Sequence, residues 1–502
     1  MSEVFFETAL QRAAELDEHF KTHGRPIGPL HGLPISLKDQ FRVNGLETSV
    51  GYIGWLGKKE TAESESYLVK TLRDLGAVFY VKTNVPTSLM AIETNNNIIG
   101  YTWNAHNRLL SSGGSSGGEA ALLAMRGSVL GLGSDVGASI RLPAAVSGLV
   151  GLKPSTGRLP YLRVANSMEG QETVSSVIGP MGRNPQDLQM LVRSILDSSP
   201  WMDDPKTLNM PWRVHEEDAV RTKAQRTGLT LGVMKYDGLV MPHPPVLRAI
   251  DECVASLKAQ GHEVIEWKPP SHSKAFDILF KTFLADGGTD IHSVLSLVGE
   301  VPVPQLEVSY GKTLGSVPVS TLNEIWALQK RKDEYQTRYL QYWNSTAGLS
   351  RSGSPVDAVI LPACPSASFK PGESMYFGYT GVANVPDHST AVVPVTCVDA
   401  FIDVPNEKYS PSGDIDQKIW ADCECISTIY SVLPPDIAVA MRHLLMQDLR
   451  HRSSPAFPWY TSGRPTNGQA VGRGADIGNG RGGDALLAKY TIQWCLRTYL
   501  GC

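Results

Sequence analysis

Long apolar runs are missing from this 502-residue sequence. No stretch reaches the roughly 18 apolar residues that a membrane-spanning helix needs, so no membrane association is expected. The opening residues, MSEVFFETALQRAAELDEHF, carry neither a basic leader nor a long apolar core and do not read as a secretory signal. A strong charge bias is missing too. Lys and Arg number 46 against 50 Asp and Glu, a formal charge of −4, which gives no electrostatic reason to expect nucleic acid or an anionic surface as partner. Cysteine is sparse: seven residues, at positions 253, 364, 397, 423, 425, 495 and 502, without disulfide-framework or zinc spacing. Cys423 and Cys425 stand too close for a CxxC pair. A scattered, odd set fits a reducing compartment, and the expected location is cytoplasmic. Glycine and proline, 47 and 33 residues, fall well below the ~25–30% of disordered chains. With 42% hydrophobic and 19% charged residues, an ordinary globular protein remains.

The most informative stretch runs from Ser111 to Arg158. It opens with Gly113-Gly114-Ser115-Ser116-Gly117-Gly118, continues through a small-residue helical segment from Glu119 to Met125, and reaches a second turn, Gly133-Ser134-Asp135-Val136-Gly137-Ala138-Ser139. Glycine allows positive φ and close backbone approach, so two such turns can aim several N–H groups at one point, suited to an anion or an oxyanion. No histidine lies in either turn. Upstream, Gly32-Leu33-Pro34-Ile35-Ser36-Leu37-Lys38-Asp39 reads as a turn entering a short buried strand that carries Lys38.

The rest of the chain alternates strands and helices. Residues 6–21 have helical spacing with Leu10, Ala13, Ala14 and Phe20 on the apolar side. Ser64–Leu75 reads as a helix and Ala77–Val81 as a core strand. A helix begins near Pro185, residues 197–227 read as a surface loop, and 229–234, 245–260 and 262–267 form a strand–helix–strand unit. Residues 276–296 and 322–342 look helical and would form a cap. Val359–Pro362 and Ala391–Val395 are further strands. This alternation predicts an α/β layer fold with a mostly parallel sheet.

On GGSSGGE, GSDVGASIRLP, GLKPSTGR and the upstream G-x-P-x-x-x-K-D segment, the chain resembles the amidase signature family, serine hydrolases that cut carboxamides, and best its fungal acetamidase-like branch, over roughly residues 8–420. The resemblance implies a single three-layer α/β/α fold around a large mixed, mostly parallel sheet, in one domain over 1–421, with a signature core at about 28–196 and a cap and second half at about 228–421. It assigns catalysis to Lys38, Ser115 and Ser139. Ser139 would attack the carbonyl, and Ser115, held by a cis Gly114–Ser115 peptide, would relay the proton to Lys38. The backbone N–H groups of Val136, Gly137, Ala138 and Ser139 would form the oxyanion hole. Most relatives have glycine where this chain has Ala138, so the turn requires negative φ there, with tighter substrate space. By analogy, Ser88, Leu89 and Met90 would line the acyl side, and Ser116, Asp135 and Arg141 would support the turns.

A Ser–Lys pair works only if the lysine is neutral. Lowering its pKa from about 10.4 to near 7.5 takes roughly 4 kcal/mol, which burial can supply. The implied reaction converts a small neutral monocarboxylic acid amide to acid and ammonia through an acyl-enzyme, with no metal and no organic cofactor; a homodimer is left open. Two other readings are a catalytically impaired relative and a phosphate-binding module using GGSSGG as a cradle. Against the latter, no lysine follows Gly118 as in a P-loop. The relatives carry more helical chain ahead of residue 6, so part of an N-terminal cover is expected to be missing. After about Asp422 the resemblance fails, and 422–502, with its Gly/Arg-rich run from Gly463 to Gly483, reads as a divergent, partly disordered segment.

Overall fold

The computed structural model describes residues 1–374, 376–430 and 489–496. One sheet runs through it, built from β1 (Glu3–Val4), β2 (Pro34–Lys38), β3 (Val78–Thr83), β4 (Leu130–Asp135), β5 (Val150–Lys153), β6 (Val177–Gly182), β7 (Thr230–Val233), β8 (Glu263–Glu266), β9 (Ala358–Pro362), β10 (Ser389–Cys397) and β11 (Lys489–Leu496). Their spatial order is β1-β3-β2-β4-β6-β5-β10-β11-β9-β7-β8. Pairing is parallel for β2 with β3 and β4, and for β7 with β8 and β9. The strands between these two blocks pair antiparallel, giving a mixed sheet.

Helices cover both faces: α1 (Phe6–His23), α2 (Tyr67–Asp74), α3 (Gly117–Ala124), α4 (Arg141–Val146), α5 (Pro185–Asp197), α6 (Val214–Arg226), α7 (Pro244–Ala259), α8 (His272–Phe283), α9 (Thr289–Ser296), α10 (Pro304–Tyr310), α11 (Leu322–Ser345), α12 (Gly378–Gly381) and α13 (Asp414–Tyr430). Among the described residues no helix is long and apolar enough to cross a membrane. Local chemistry sets several starts. Asn184 caps α5 by accepting from Gln186 N, with Pro185 at the first helical position, and Thr321 and Glu324 form a capping box on α11. Beneath β2 and β3 lies a core of Ile35, Leu37, Leu68, Leu72, Phe79 and Leu191. A second core holds the cap, with Trp267, Tyr335, Tyr339 and Trp343 packed together.

Several expectations needed revision. The buried face of α1 is Ala9 and Leu16, set against Val78 and Tyr80, whereas Leu10 is 70% exposed. Arg12 lies on the packed side because its guanidinium donates to Arg73 O at 3.0 Å, which moves the contact stripe off the purely apolar one. Residues 197–227, read as loop, contain α6. That helix buries no residue, so it has no apolar stripe to read; Glu216 and Glu217 in its first turn and Lys223 and Arg226 in its last favour it instead. The span 276–296 is two helices, α8 and α9, separated where Gly287 and Gly288 both take positive φ. The helix α13 runs across the expected boundary at 421, and β11 adds a strand from beyond it. The Gly/Arg-rich run lies outside the described residues.

Candidate active site

The site forms where β2, the GGSSGG turn and the end of β4 meet. Along β2, Ile35 and Leu37 enter the apolar core while Ser36 and Lys38 turn to the opposite layer, as strand alternation requires. There Ser36 Oγ donates to Glu119 Oε2 at 2.6 Å, and Lys38 Nζ donates to Ser115 Oγ at 2.7 Å and to Ser134 Oγ at 2.9 Å. Thr83 Oγ1 holds the other Glu119 oxygen at 2.8 Å. Two glycines make this closeness feasible. A Cβ on Gly131 would stand 2.0 Å from Glu119 Oε2, and one on Gly118 would stand 2.4 Å from Asn84 N.

The Gly114–Ser115 peptide is cis. Ser116 N donates to Ser139 O at 3.1 Å, joining the two serine turns. Residues 111–118 are buried throughout, and Ser115 faces Lys38. Asp135 and Arg141 form a fully buried pair at 2.9 Å. Arg141 also donates to Thr380 O and Asn384 Oδ1, and Asn384 Nδ2 donates to Asp135 Oδ1 at 3.1 Å. Asp135 Oδ2 accepts from Ile140 N at 3.1 Å, closing the turn between them.

Burial in this layer dominates the electrostatics. It lowers the Lys38 ammonium from 10.5 to about 7, against opposing pulls from the charges of Asp135 and Glu119. It pushes the Glu119 carboxyl up to about 7 despite hydrogen bonds from Ser36 and Thr83. For Asp135 burial alone would act upward, but the Arg141 guanidinium outweighs it and holds the group at about 2.

A cavity of about 860 Å³ opens beside these groups. Val136, Gly137, Ala138 and Ser139 form part of its wall, with Leu89 and Met90, and Phe276, Phe280, Phe283 and Phe377 supply much of the remainder. Among the described residues, no carbonyl or side chain accepts from the N–H groups of Val136, Gly137, Ala138 and Ser139. Ala138 is absent from the positive-φ residues, and its methyl joins a buried cluster with Leu142, Val146 and Phe369. The extra methyl thus sits in core packing, and the cavity is roomy rather than tight. Ser88 does not line it: Ser88 is fully buried, takes φ 69, and its Oγ accepts from Met90 N at 3.3 Å. Sequence reasoning missed Ser134, Gln40, Glu119 and Asn384. Gln40 lies in the turn just past the end of β2, two residues after Lys38, and no strand periodicity singles it out.

The family profile described as Amidase matches residues 1–415. An acetamidase of Aspergillus oryzae is 44% identical over 442 residues, covering 88% of this chain and 79% of that protein. An acetamidase of Emericella nidulans is 46% identical over 414 residues, covering 82% of this chain and 74% of that protein. Among solved structures, a fatty acid amide hydrolase aligns with a TM-score of 0.79 at 28% identity, over 99% of this chain and 75% of that one. A bacterial aryl acylamidase shares the fold at a TM-score of 0.63 and 20% identity. Profile, relatives and fold agree, and the chain belongs to the amidase signature family of amide-hydrolysing enzymes.

Proposed function

We propose that this amidase hydrolyses a neutral monocarboxylic acid amide to the acid and ammonia through an acyl-enzyme on Ser139. Neutral Lys38 is the base. As Ser139 Oγ bonds to the amide carbon, its proton passes to Ser115 Oγ, and the Ser115 proton passes to Lys38 Nζ. The carbonyl π pair moves onto oxygen, where the N–H groups of Val136, Gly137, Ala138 and Ser139 donate to it. Collapse of the tetrahedral adduct breaks the C–N bond, and the Lys38 proton returns through Ser115 to the departing nitrogen, giving ammonia. Water, deprotonated over the same path, then cleaves the ester and restores Ser139. Asp135, Arg141 and Ser116 hold the two turns in register.

The observation that carries this reading is the 2.7 Å contact between Lys38 Nζ and Ser115 Oγ, in a layer where burial brings the lysine down to about 7. The cavity wall is mostly apolar, with Glu93, Glu373, Lys418 and Asp422 also lining it, and the apolar part supports a neutral acyl group. Its volume argues against restricting substrates to the smallest amides. Acetamide has four heavy atoms and takes up on the order of 100 Å³ at ~30 Å³ per water-sized group, against about 860 Å³ available. Among the described residues Cys253 and Cys364 are free thiols, which supports a reducing compartment such as the cytosol.

The test is released ammonia from a panel running from formamide through acetamide to longer-chain and aryl amides, against Ser139→Ala. Turnover that vanishes in Ser139→Ala, with kcat/KM rising from acetamide towards apolar acyl groups, is the expected result. A wild-type protein that releases no ammonia from any of them would end the proposal.

A further inference from the structure

Gln40 lies outside every role so far described, yet it is fully buried and touches the lysine's second partner. We infer that Gln40 is a positioning residue: its amide fixes the direction of the hydrogen bonds around Lys38, so that the lone pair of the neutral amine is reserved for the Ser115 hydroxyl. This rests on the assignment of Lys38 as base.

The argument is one of donors and acceptors. A backbone carbonyl can only accept, and Ala165 O lies 3.2 Å from Gln40 Nε2, so the NH₂ end of the amide must point that way. Ala165 N in turn donates to Gln40 O at 3.0 Å, which ties the two positions twice. The second N–H of Gln40 Nε2 goes to Tyr161 Oη at 3.2 Å, and Tyr161 spends its own proton on Ser176 Oγ at 3.0 Å. The amide orientation is therefore set from behind, and Oε1 faces Ser134 Oγ at 2.5 Å. Oε1 carries no proton, so Ser134 must donate to it.

A hydroxyl has one proton. Once Ser134 has given it to Gln40, Ser134 can only accept from Lys38, 2.9 Å away. A neutral amine has two N–H bonds and one lone pair. One N–H is committed to Ser134, which leaves the lone pair free for the Ser115 proton at 2.7 Å. Without the Gln40 carbonyl, the Ser134 hydroxyl could turn its proton onto the Lys38 lone pair and compete with Ser115 for it. Lys38, Gln40 and Ser134 are at most 3% exposed, so bulk water does not take over the Gln40 role. The charged groups facing Lys38 are Asp135 at the end of β4 and Glu119 on α3; both remain in place whichever way Ser134 points.

The experiment compares Gln40→Leu, Gln40→Glu, Ser134→Ala and the double variant Gln40→Leu/Ser134→Ala, each checked by thermal melting. It begins only once wild type is shown to release ammonia and Ser139→Ala is not, so failure of the proposed function registers separately, in those controls. The readouts are kcat and KM for the best amide and the rate of Ser139 labelling by a fluorophosphonate, across about pH 6 to 10. Gln40→Leu should lose about tenfold in kcat and labelling rate with KM nearly unchanged, the size expected from misdirecting one hydrogen bond of the base. The double variant should be no slower than Ser134→Ala alone, because Gln40 acts through Ser134. Gln40→Glu keeps an acceptor for Ser134 and, protonated on the oxygen that meets Ala165 O, should label Ser139 faster than Gln40→Leu does. The inference is overturned if Gln40→Leu keeps the wild-type labelling rate, or if its loss multiplies in full with that of Ser134→Ala. Should Gln40→Leu fail to fold, a folded Gln40→Glu that labels Ser139 no faster than Ser134→Ala would overturn it equally.

Discussion

Replacing Lys38 by methionine should remove activity and make the protein more stable at neutral pH. Burial lowers this lysine from 10.5 to about 7 in the folded chain, while unfolding restores the ordinary value. Between those two values the unfolded chain binds a proton that the native state does not. At about 1.4 kcal/mol per pKa unit, the cost to the native state is roughly 5 kcal/mol at pH 7 and below, and it falls away as pH rises towards 10.5. The side chain is fully buried, so little of this is lost to solvent screening. Methionine fits a similar volume but gives up the hydrogen bonds to Ser115 and Ser134, about 1 kcal/mol each, and leaves two hydroxyls less well satisfied. The net gain should be about 2–3 kcal/mol near pH 7. Glu119 adds to the pH dependence in the same direction: without the ammonium its carboxyl rises further, which penalises the variant as pH increases. Urea unfolding of both proteins at about pH 7 and pH 9.5 reads the difference, with the Lys38→Met advantage clear at the lower pH and gone or reversed at the higher. A variant less stable than wild type at pH 7, or an advantage independent of pH, would refute the reasoning.

Three further outcomes follow from neighbouring groups. Arg141→Met strands the buried Asp135 carboxylate and should cost about 3–5 kcal/mol at neutral pH by urea unfolding. Asp135 stabilises above its ordinary carboxyl range and loses that contribution only as pH falls through about 2, so the same variant should unfold in acid at higher pH than wild type. Glu119→Gln removes a carboxylate that raises the Lys38 pKa, so the ascending limb of kcat/KM should move to lower pH by roughly half a unit. Ala138→Gly trades a buried methyl for backbone freedom and should destabilise by about 1–2 kcal/mol without lowering KM for acetamide, since that methyl packs on Leu142 and Val146.

The strands β2, β3, β7, β8, β9 and β10 could be read in advance as short apolar runs, and α7 because Val246 and Ile250 repeat at helical spacing, whereas the glycines in β4 and β6 made those strands look like turns. The helix α6 could not, since a helix that buries nothing leaves no periodic trace. The two serine turns and Lys38 were visible as local motifs. Ser134 and Gln40 were not, although they lie within or beside those motifs, because their contact spans 94 positions and depends on which hydroxyl points where. Asn384 reaches Arg141 across 243 positions, a pairing set only when β10 folds against β5. The cavity likewise belongs to no single segment, being walled by α8, α10, α13 and the loop ends beside them.

The alternation along β2 makes pairing register a catalytic variable. Ser36 and Lys38 share one side of a strand hydrogen-bonded to β3 and β4 on its two edges. A shift of one residue would leave the hydrogen-bond ladder largely intact yet turn the amine into the aliphatic layer beneath Phe79 and Leu191, delivering Leu37 to the serines instead. A single deletion between Pro34 and Lys38 should yield a protein that still folds its sheet and has nowhere to put a proton.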